Sequence, residues 1–286
     1  MATPSPEPSG LRVALVGCGR MGRLHASKLG ARLVAVIDPA GGEPDLPWVS
    51  EVPEDVDAVV VAVPAARHFE VALPLLQRGL PTLVEKPLAS ELGHARQLAA
   101  FPQLCVNHIE RFNPAMAALP QGVRHISATR MAPYDGRGTD VDVVLDLMIH
   151  DLDLVLRLLG PVHEVRAVGL RVESDGIDHA EAWLEAEGGV ATLVASRVAP
   201  GPARVLELTG DRGRHRLDLS AGAVWRILAN REPERIPVPP VDALDALHSA
   251  FLDAARRGGP MPVPGEEALA AMELAGRVRK AILGRC

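Results

Sequence analysis

The sequence predicts an α/β protein in two parts, a doubly wound domain with a parallel sheet followed by an α+β domain built on a mainly antiparallel open sheet. Three observations carry this. Up to about residue 110, apolar runs of strand length alternate with helical patterns, the order of parallel β-α-β units. A glycine cluster, Gly17-Cys18-Gly19-Arg20-Met21-Gly22, separates the first of those runs from the first helical pattern. Beyond residue 160 the pattern changes to strand-like runs at 162–173, 178–187, 190–198, 203–209, 214–219 and 223–229, most of them joined by short Gly-, Asp- or Pro-containing turns.

Composition narrows the class further. At 286 residues and 48% hydrophobic content the chain can bury two cores. A formal net charge of -6, with no concentrated Lys/Arg run, argues against nucleic acid as a partner. No segment offers 18 uncharged apolar residues in a row, so no membrane span is expected. Residues 1–10 lack the apolar core of a signal peptide and are expected to be a disordered tail. Cys18, Cys105 and Cys286 are scattered without C-x-x-C spacing, which suggests neither a disulfide framework nor a thiolate metal site. A cytoplasmic location is expected.

Taken in order, 12–16 is a short strand that runs into the glycine cluster, and 24–29 is helical. In G-x-G-x-x-G at this position Gly17 permits the tight turn, Gly19 lets the backbone approach a pyrophosphate, and Gly22 allows the helix to pack closely. Cys18, Arg20 and Met21 complete the phosphate-facing turn. The strand 33–37 ends in Asp38, where an acid bonds the adenosine ribose 2′-hydroxyl and repels a 2′-phosphate. Pro39, Ala40 and Gly41 follow without an arginine, so the expected cofactor is NAD. A short strand near Trp48-Val49 is ambiguous. The run 57–63 reads as a central strand covered on both faces, ended by Pro64, and 67–76 as the next helix. Pro64 and His68 are expected beside the cofactor.

The strand 82–84 leads into Glu85-Lys86-Pro87, and proline stops the ladder. Lys86 then stands at the carboxyl end of a parallel sheet, where such folds bind ligands. Ser90 and Glu91 open a helix to about residue 100, and 104–108 is a sixth strand candidate. The expected domains are 11–119 for the cofactor and 120–286 for substrate and oligomerisation. Helices at 241–257 and 266–283 close the chain around Gly258-Gly259-Pro260, able to return to the first domain.

The helix expected over 141–159 is apolar over most of its circumference. At roughly 100° per residue, Asp142, Asp146, His150, Asp153 and Arg157 form one narrow stripe. A charged stripe on a mostly buried helix needs a cleft or a partner. Asp146 and His150 are four residues apart, so the carboxylate can orient the imidazole, which is equipment for a general base. A metal shared by His108, Asp146 and His150 is the weaker alternative, and none is expected.

Gly17-x-Gly19-x-x-Gly22, Glu85-Lys86-Pro87 and Asp146-x-x-x-His150 resemble, in order and spacing, the cofactor, lysine and histidine motifs of the Gfo/Idh/MocA family of nicotinamide-dependent sugar oxidoreductases. The resemblance runs from Arg12 to about Leu283. The segments Val106-Asn107-His108-Ile109-Glu110-Arg111-Phe112-Asn113-Pro114 and Val144-Leu145-Asp146-Leu147-Met148-Ile149-His150-Asp151 are similar to the branch that oxidises the 3-hydroxyl of UDP-N-acetylglucosamine. That branch feeds an aminotransferase and, in some bacteria, amide-linked lipid A.

The resemblance implies an N-terminal Rossmann domain and catalysis by Lys86, Asp146 and His150. It also implies cofactor contacts from Glu85 and Lys86, and a homodimer or homotetramer closed over the open sheet face. His108 and Arg111 are expected to bind a nucleotide-sugar substrate, with Arg130 and Arg137 clamping its diphosphate as planar guanidinium forks. The same scaffold also suits a reductase of another small carbonyl, inositol or tetrapyrrole. A non-catalytic regulator that binds NAD and sugar is the reading from another class.

Overall fold

The computed structural model describes residues 10–41, 45–136, 140–211 and 213–284. The chain divides into two compact units, Met1–Asn107 with Leu244–Glu266, and His108–Ala243 with Glu267–Cys286. The first unit therefore ends at 107 rather than 119, and it takes back a segment from near the end of the chain.

In the first unit β1 (Val13–Val16), β2 (Leu33–Ile37), β3 (Ala58–Val61), β4 (Thr82–Val84) and β5 (Leu104–Val106) form one parallel sheet in the order β2-β1-β3-β4-β5. The ambiguous strand near 48 is reduced to a single parallel bridge between Val36 and Trp48, outside β2. The order reverses between β1 and β3, which makes the carboxyl ends of these two strands the crevice of the fold. Both are continuous apolar runs because both faces are covered: Val13, Ala14, Leu15 and all of β3 have no exposed surface. Complete burial of each valine and leucine among them contributes about 1.5–3 kcal/mol. The helices are α1 (Arg20–Leu29), α2 (His68–Gln77), α3 (Leu92–Ala99) and the returning α5 (Ala243–Arg257). In α5 Leu244, Leu247, His248, Phe251 and Leu252 are buried at helical spacing, so a histidine occupies a position on the apolar stripe.

In the second unit eight strands make one sheet in the order β13-β12-β11-β10-β6-β9-β8-β7. They are β6 (Val123–Met131), β7 (Val162–Leu170), β8 (His179–Ala186), β9 (Gly189–Ser196), β10 (Ala203–Gly210), β11 (Gly213–Asp218), β12 (Ala223–Ile227) and β13 (Glu234–Ile236). All neighbours are antiparallel except β6 with β9. The sequence reading passed over β6 and β13. In β6 the inward positions are Ile126, Ala128 and Arg130, and a buried arginine conceals the period-two alternation that marks a strand. Arg130 thus lies in the centre of the sheet, not in a loop ahead of the helix.

The helix expected over 141–159 is a π turn, Val144–Met148, followed by α4 (Ile149–Leu159). It packs on β6 and β9. The last helix, α6 (Gly265–Leu283), approaches β7, where Arg277 donates to the carbonyls of Val162 and His163 at 2.6 and 2.8 Å.

Candidate active site

The turn after β1 has the geometry a dinucleotide requires. Gly17 has φ +91°, and a Cβ there would lie 2.6 Å from the Ala62 carbonyl oxygen, so only glycine fits. A Cβ on Gly22 would meet the Gly17 carbonyl oxygen at 2.1 Å, which is why the first turn of α1 can lie against the loop. Gly19 has open space where its side chain would be, the approach a pyrophosphate needs. Gly19 also caps α1, whose first turn holds no acidic residue, so the positive end of the helix dipole is not offset locally. Cys18 is buried, Arg20 exposed and Met21 half-buried.

Asp38 follows β2 and is tied to the same turn. Its Oδ2 accepts from the Cys18 amide at 2.7 Å and its Oδ1 from the Ala40 amide at 2.9 Å. The acid is therefore positioned by the loop that would hold the cofactor phosphates. These groups fit NAD: Gly17, Gly19 and Gly22 shape a cradle, and Asp38 would be the acceptor for ribose hydroxyls.

Lys86 leaves the carboxyl end of β4, one strand beyond β3, in a half-buried position. Strands lie about 4.8 Å apart, so β4 is roughly 10 Å from β1 and its glycine turn. Glu85 was expected to touch the cofactor, and its side chain is turned inward instead. It is 6% exposed, and its carboxylate accepts from Asn107 Nδ2 at 2.6 Å and from the Lys86 amide at 3.2 Å, with His25 Nε2 at 2.9 Å. Burial resists its ionisation, but the hydrogen bond and charge of His25, with Lys86 and Asn107, hold the carboxyl below its usual range.

The ring of His68 is likewise turned inward. Its Nδ1 lies 2.8 Å from the Pro87 carbonyl and its Nε2 2.9 Å from the Val63 carbonyl, and burial keeps the ring below the ordinary imidazole range. Both nitrogens lie against main-chain carbonyls, and a neutral ring donates to one of them at a time, so the ring sits wedged between the loop after β3 and the loop after β4. Pro64, by contrast, is exposed at the end of the β3 loop, open to a ligand.

In the second unit the expected stripe does not survive the π turn. Its i→i+5 bonding turns each residue through a smaller angle than an α-helix, so a projection at constant angle drifts out of phase. Asp142 is a helix cap, its Oδ1 accepting from the amides of Val144 and Leu145 at 3.1 and 3.3 Å, and its Oδ2 accepts from Arg279 of α6 at 2.6 Å. Arg157 is exposed, while Asp153 is buried. Asp146 is half-buried within the π turn, and His150 is 8% exposed in the first turn of α4. A π turn inside a helix frequently marks a functional position.

The residues expected to hold substrate are mostly turned inward. Arg130 donates to both oxygens of Asp151, at 2.9 and 2.8 Å, and to Glu110 at 2.8 Å, and is 3% exposed. Arg111 pairs with both oxygens of Asp153 and with Glu267. His108 is buried with its Nδ1 3.8 Å from the same Asp153. Paired carboxylates raise the basicity of both guanidiniums against the effect of burial. A diphosphate would have to displace bidentate internal carboxylates, so Arg111 and Arg130 are corrected to structural ion pairs, with His108 buried beside one of them. Arg137 lies outside the described residues. Among the described residues no group of three His, Cys, Asp or Glu side chains is arranged to hold a metal ion.

Sequence reasoning missed Asn107, His25 and His248, which surround Glu85. No spacing signal points to them, because His25 and His248 are 223 residues apart.

Comparison with known proteins agrees with this geometry. Residues 11–103 match the family model described as the oxidoreductase family with an NAD-binding Rossmann fold, and residues 123–216 match the GFO/IDH/MocA C-terminal domain. A UDP-N-acetylglucosamine 3-dehydrogenase from Acidithiobacillus ferrooxidans is 34% identical, over 95% of this chain and 97% of its own. A crystal structure of that relative superimposes with TM-score 0.88 at 32% identity, covering 96% of this chain and 98% of the relative. An inositol 2-dehydrogenase from Saccharopolyspora erythraea is 34% identical over 56% of this chain and 57% of its own length. A myo-inositol dehydrogenase structure from Corynebacterium glutamicum shares the fold, with TM-score 0.77 at 23% identity over 96% of this chain and 97% of that one.

Proposed function

Because this chain belongs to the Gfo/Idh/MocA family of oxidoreductases, with an NAD-binding Rossmann domain as its first part, we propose that it oxidises the 3-hydroxyl of UDP-N-acetylglucosamine to the 3-keto sugar. The observation that carries the reading is Lys86, a half-buried cation leaving the carboxyl end of the same parallel sheet that forms the glycine turn and holds Asp38. The sugar itself rests on likeness to the Acidithiobacillus enzyme along nearly its whole length.

In this mechanism His150 removes the hydroxyl proton as general base, Lys86 holds the same oxygen and stabilises the developing alkoxide, and Asp146 orients His150. NAD, when bound, accepts the hydride. His150 and Lys86 act on charge that develops on the oxygen as its proton leaves, ahead of hydride departure, which is how binding energy raises turnover. Oxidation of a secondary alcohol by NAD is uphill near neutral pH, so an aminotransferase that consumes the ketone is the proposed next step, leading toward 3-amino sugars for lipid A or another envelope glycan. We place the reaction in the cytoplasm; no described helix is long and apolar enough to cross a membrane. We also propose a homo-oligomer closed over the outer face of the eight-stranded sheet. Val168 and Leu170 of β7 stand 48% and 61% exposed there, beside Trp183, over which Arg166 lies at 5.1 Å.

The test is to incubate the protein with NAD, UDP-N-acetylglucosamine, a suitable aminotransferase and glutamate, with expected formation of NADH and a 3-amino sugar nucleotide. A second reading, oxidation of an inositol, is favoured by the inositol dehydrogenases among the relatives. Turnover of inositol without turnover of the nucleotide sugar would replace the first reading by the second.

A further inference from the structure

Glu85 stands at the end of a buried polar chain that no step of the reaction uses. His25 of α1 is fully buried, with its Nε2 2.9 Å from Glu85 Oε1 and its Nδ1 2.8 Å from Nε2 of His248 on α5. The two rings are stacked with centroids 5.0 Å apart. An ionised carboxylate only accepts, so His25 Nε2 carries a proton toward Glu85, and the other contact shares one proton between the two rings. Burial, together with the charges of His25 and Arg32, holds His248 down at about 4 against the opposing effects of Asp245 and Glu85, so its ring is neutral at working pH. Hydrophobic side chains would fill this space without the desolvation cost of a buried carboxylate and two imidazoles.

What the chain accomplishes is visible one residue further on. Glu85 directly follows β4 and precedes the lysine, so a side chain held inward there fixes the backbone from which that of Lys86 leaves. The Glu85 carboxylate also accepts the Lys86 amide, and His68 grips the Pro87 carbonyl on the far side. The lysine is thus bracketed by two anchored neighbours. We propose that His25 and His248 are positioning residues for Lys86, acting through Glu85, so that α5, returning from late in the chain, completes the lysine site. The proposal rests on Lys86 acting on the substrate hydroxyl.

The test uses His25→Asn, His248→Asn and His25→Gln in the full-length protein, with Lys28→Ala as control. Lys28 bonds Asp245 at 3.0 Å across the same pair of helices, so this control loosens the seam while His25, His248 and Glu85 are left in place. With NAD and UDP-N-acetylglucosamine, both Asn variants should lose tenfold or more in kcat, with KM and NAD affinity within about twofold, and His25→Gln, which still offers an N–H to Glu85, should recover part of the loss. In a Lys86→Ala background the same substitutions should change turnover less than twofold, because residues that act through one group are not additive.

A second arm needs no substrate. The protein has three lysines, Lys28, Lys86 and Lys280, so 15N-lysine labelling yields three lysine amides, with that of Lys86 identified by its loss in Lys86→Ala. Its resonance should move in both Asn variants while that of Lys280 stays. An unmoved Lys86 resonance in a folded variant, or additive losses in the Lys86→Ala background, overturns the proposal. If the Lys86 resonance moves but Lys86→Ala turns over normally, the positioning holds and the catalytic reading of Lys86 is what fails.

Discussion

Arg130, next to last in β6, donates to both carboxylate oxygens of Asp151 on α4, at 2.9 and 2.8 Å, while its remaining terminal nitrogen reaches Glu110. The pair joins the central strand of the second unit to the helix that carries His150. It therefore makes the position of that helix depend on an ion pair that water does not reach. Burial pushes the Asp151 carboxyl up, and the charge and hydrogen bonds of Arg130 oppose that push.

Removing one partner of such a pair strands the other. Arg130→Met leaves Asp151 and Glu110 buried without their cation, and a loss of about 3–5 kcal/mol is expected, read as a lower urea midpoint with unchanged slope. The loss should shrink at acid pH, where the stranded carboxylates are protonated. NAD affinity of the folded variant should be unchanged, and a large drop in nucleotide-sugar affinity without loss of stability would restore the substrate role that its burial argues against.

Asp38 is expected to set cofactor choice. Replacing it with Ser or Ala should narrow the preference for NAD over NADP, measured as the ratio of the two dissociation constants. The Cys18 and Ala40 amides lose their acceptor at the same time, so NAD itself should bind more weakly. Equal affinity of the unmutated protein for both cofactors would contradict the role.

Lys86→Ala and His150→Asn should each lower turnover about 100-fold or more, typical of removing an alkoxide stabiliser or a general base. Both should still bind NAD, as followed by fluorescence titration. A near-normal rate in either variant removes that residue from the mechanism.

Asp178, fully buried just before β8, accepts from the amides of Val172, Glu173 and Ser174 and from the Ser174 hydroxyl. Burial alone would raise its pKa, but these bonds lower it to about 2. A carboxyl whose folded value lies below its unfolded one stabilises the fold above the unfolded value, and the contribution disappears as pH falls through the folded one. Asp178→Asn should thus cost about 2 kcal/mol at neutral pH. Denaturant midpoints of the variant and the parent should converge between about pH 4 and pH 2, and a pH-independent difference would show that shape rather than charge is at work.

By itself the sequence determined the parallel sheet, the glycine turn and the place of Lys86, because each rests on local rules. A strand buried on both faces must be continuously apolar, a turn at φ +91° against the Ala62 carbonyl admits only glycine, and Pro87 must end β4. Only the tertiary structure decided which charged groups are available. Arg111 and Arg130 read as ligand-binding forks until Asp153, Asp151 and Glu110 are seen to occupy them. Asp142 reads as part of a catalytic stripe until it is seen to precede the helix and accept its first amides. His25 and His248 carried no signal, and Asn107 only a place in a family-like segment, since they link to Glu85 only after α1, β4, β5 and α5 have assembled. The physical reason is one of range. Backbone conformation is governed by neighbours within a few residues, whereas the partner of a buried charge is whatever polar group the packing brings within 3 Å, and sequence separation places no limit on that.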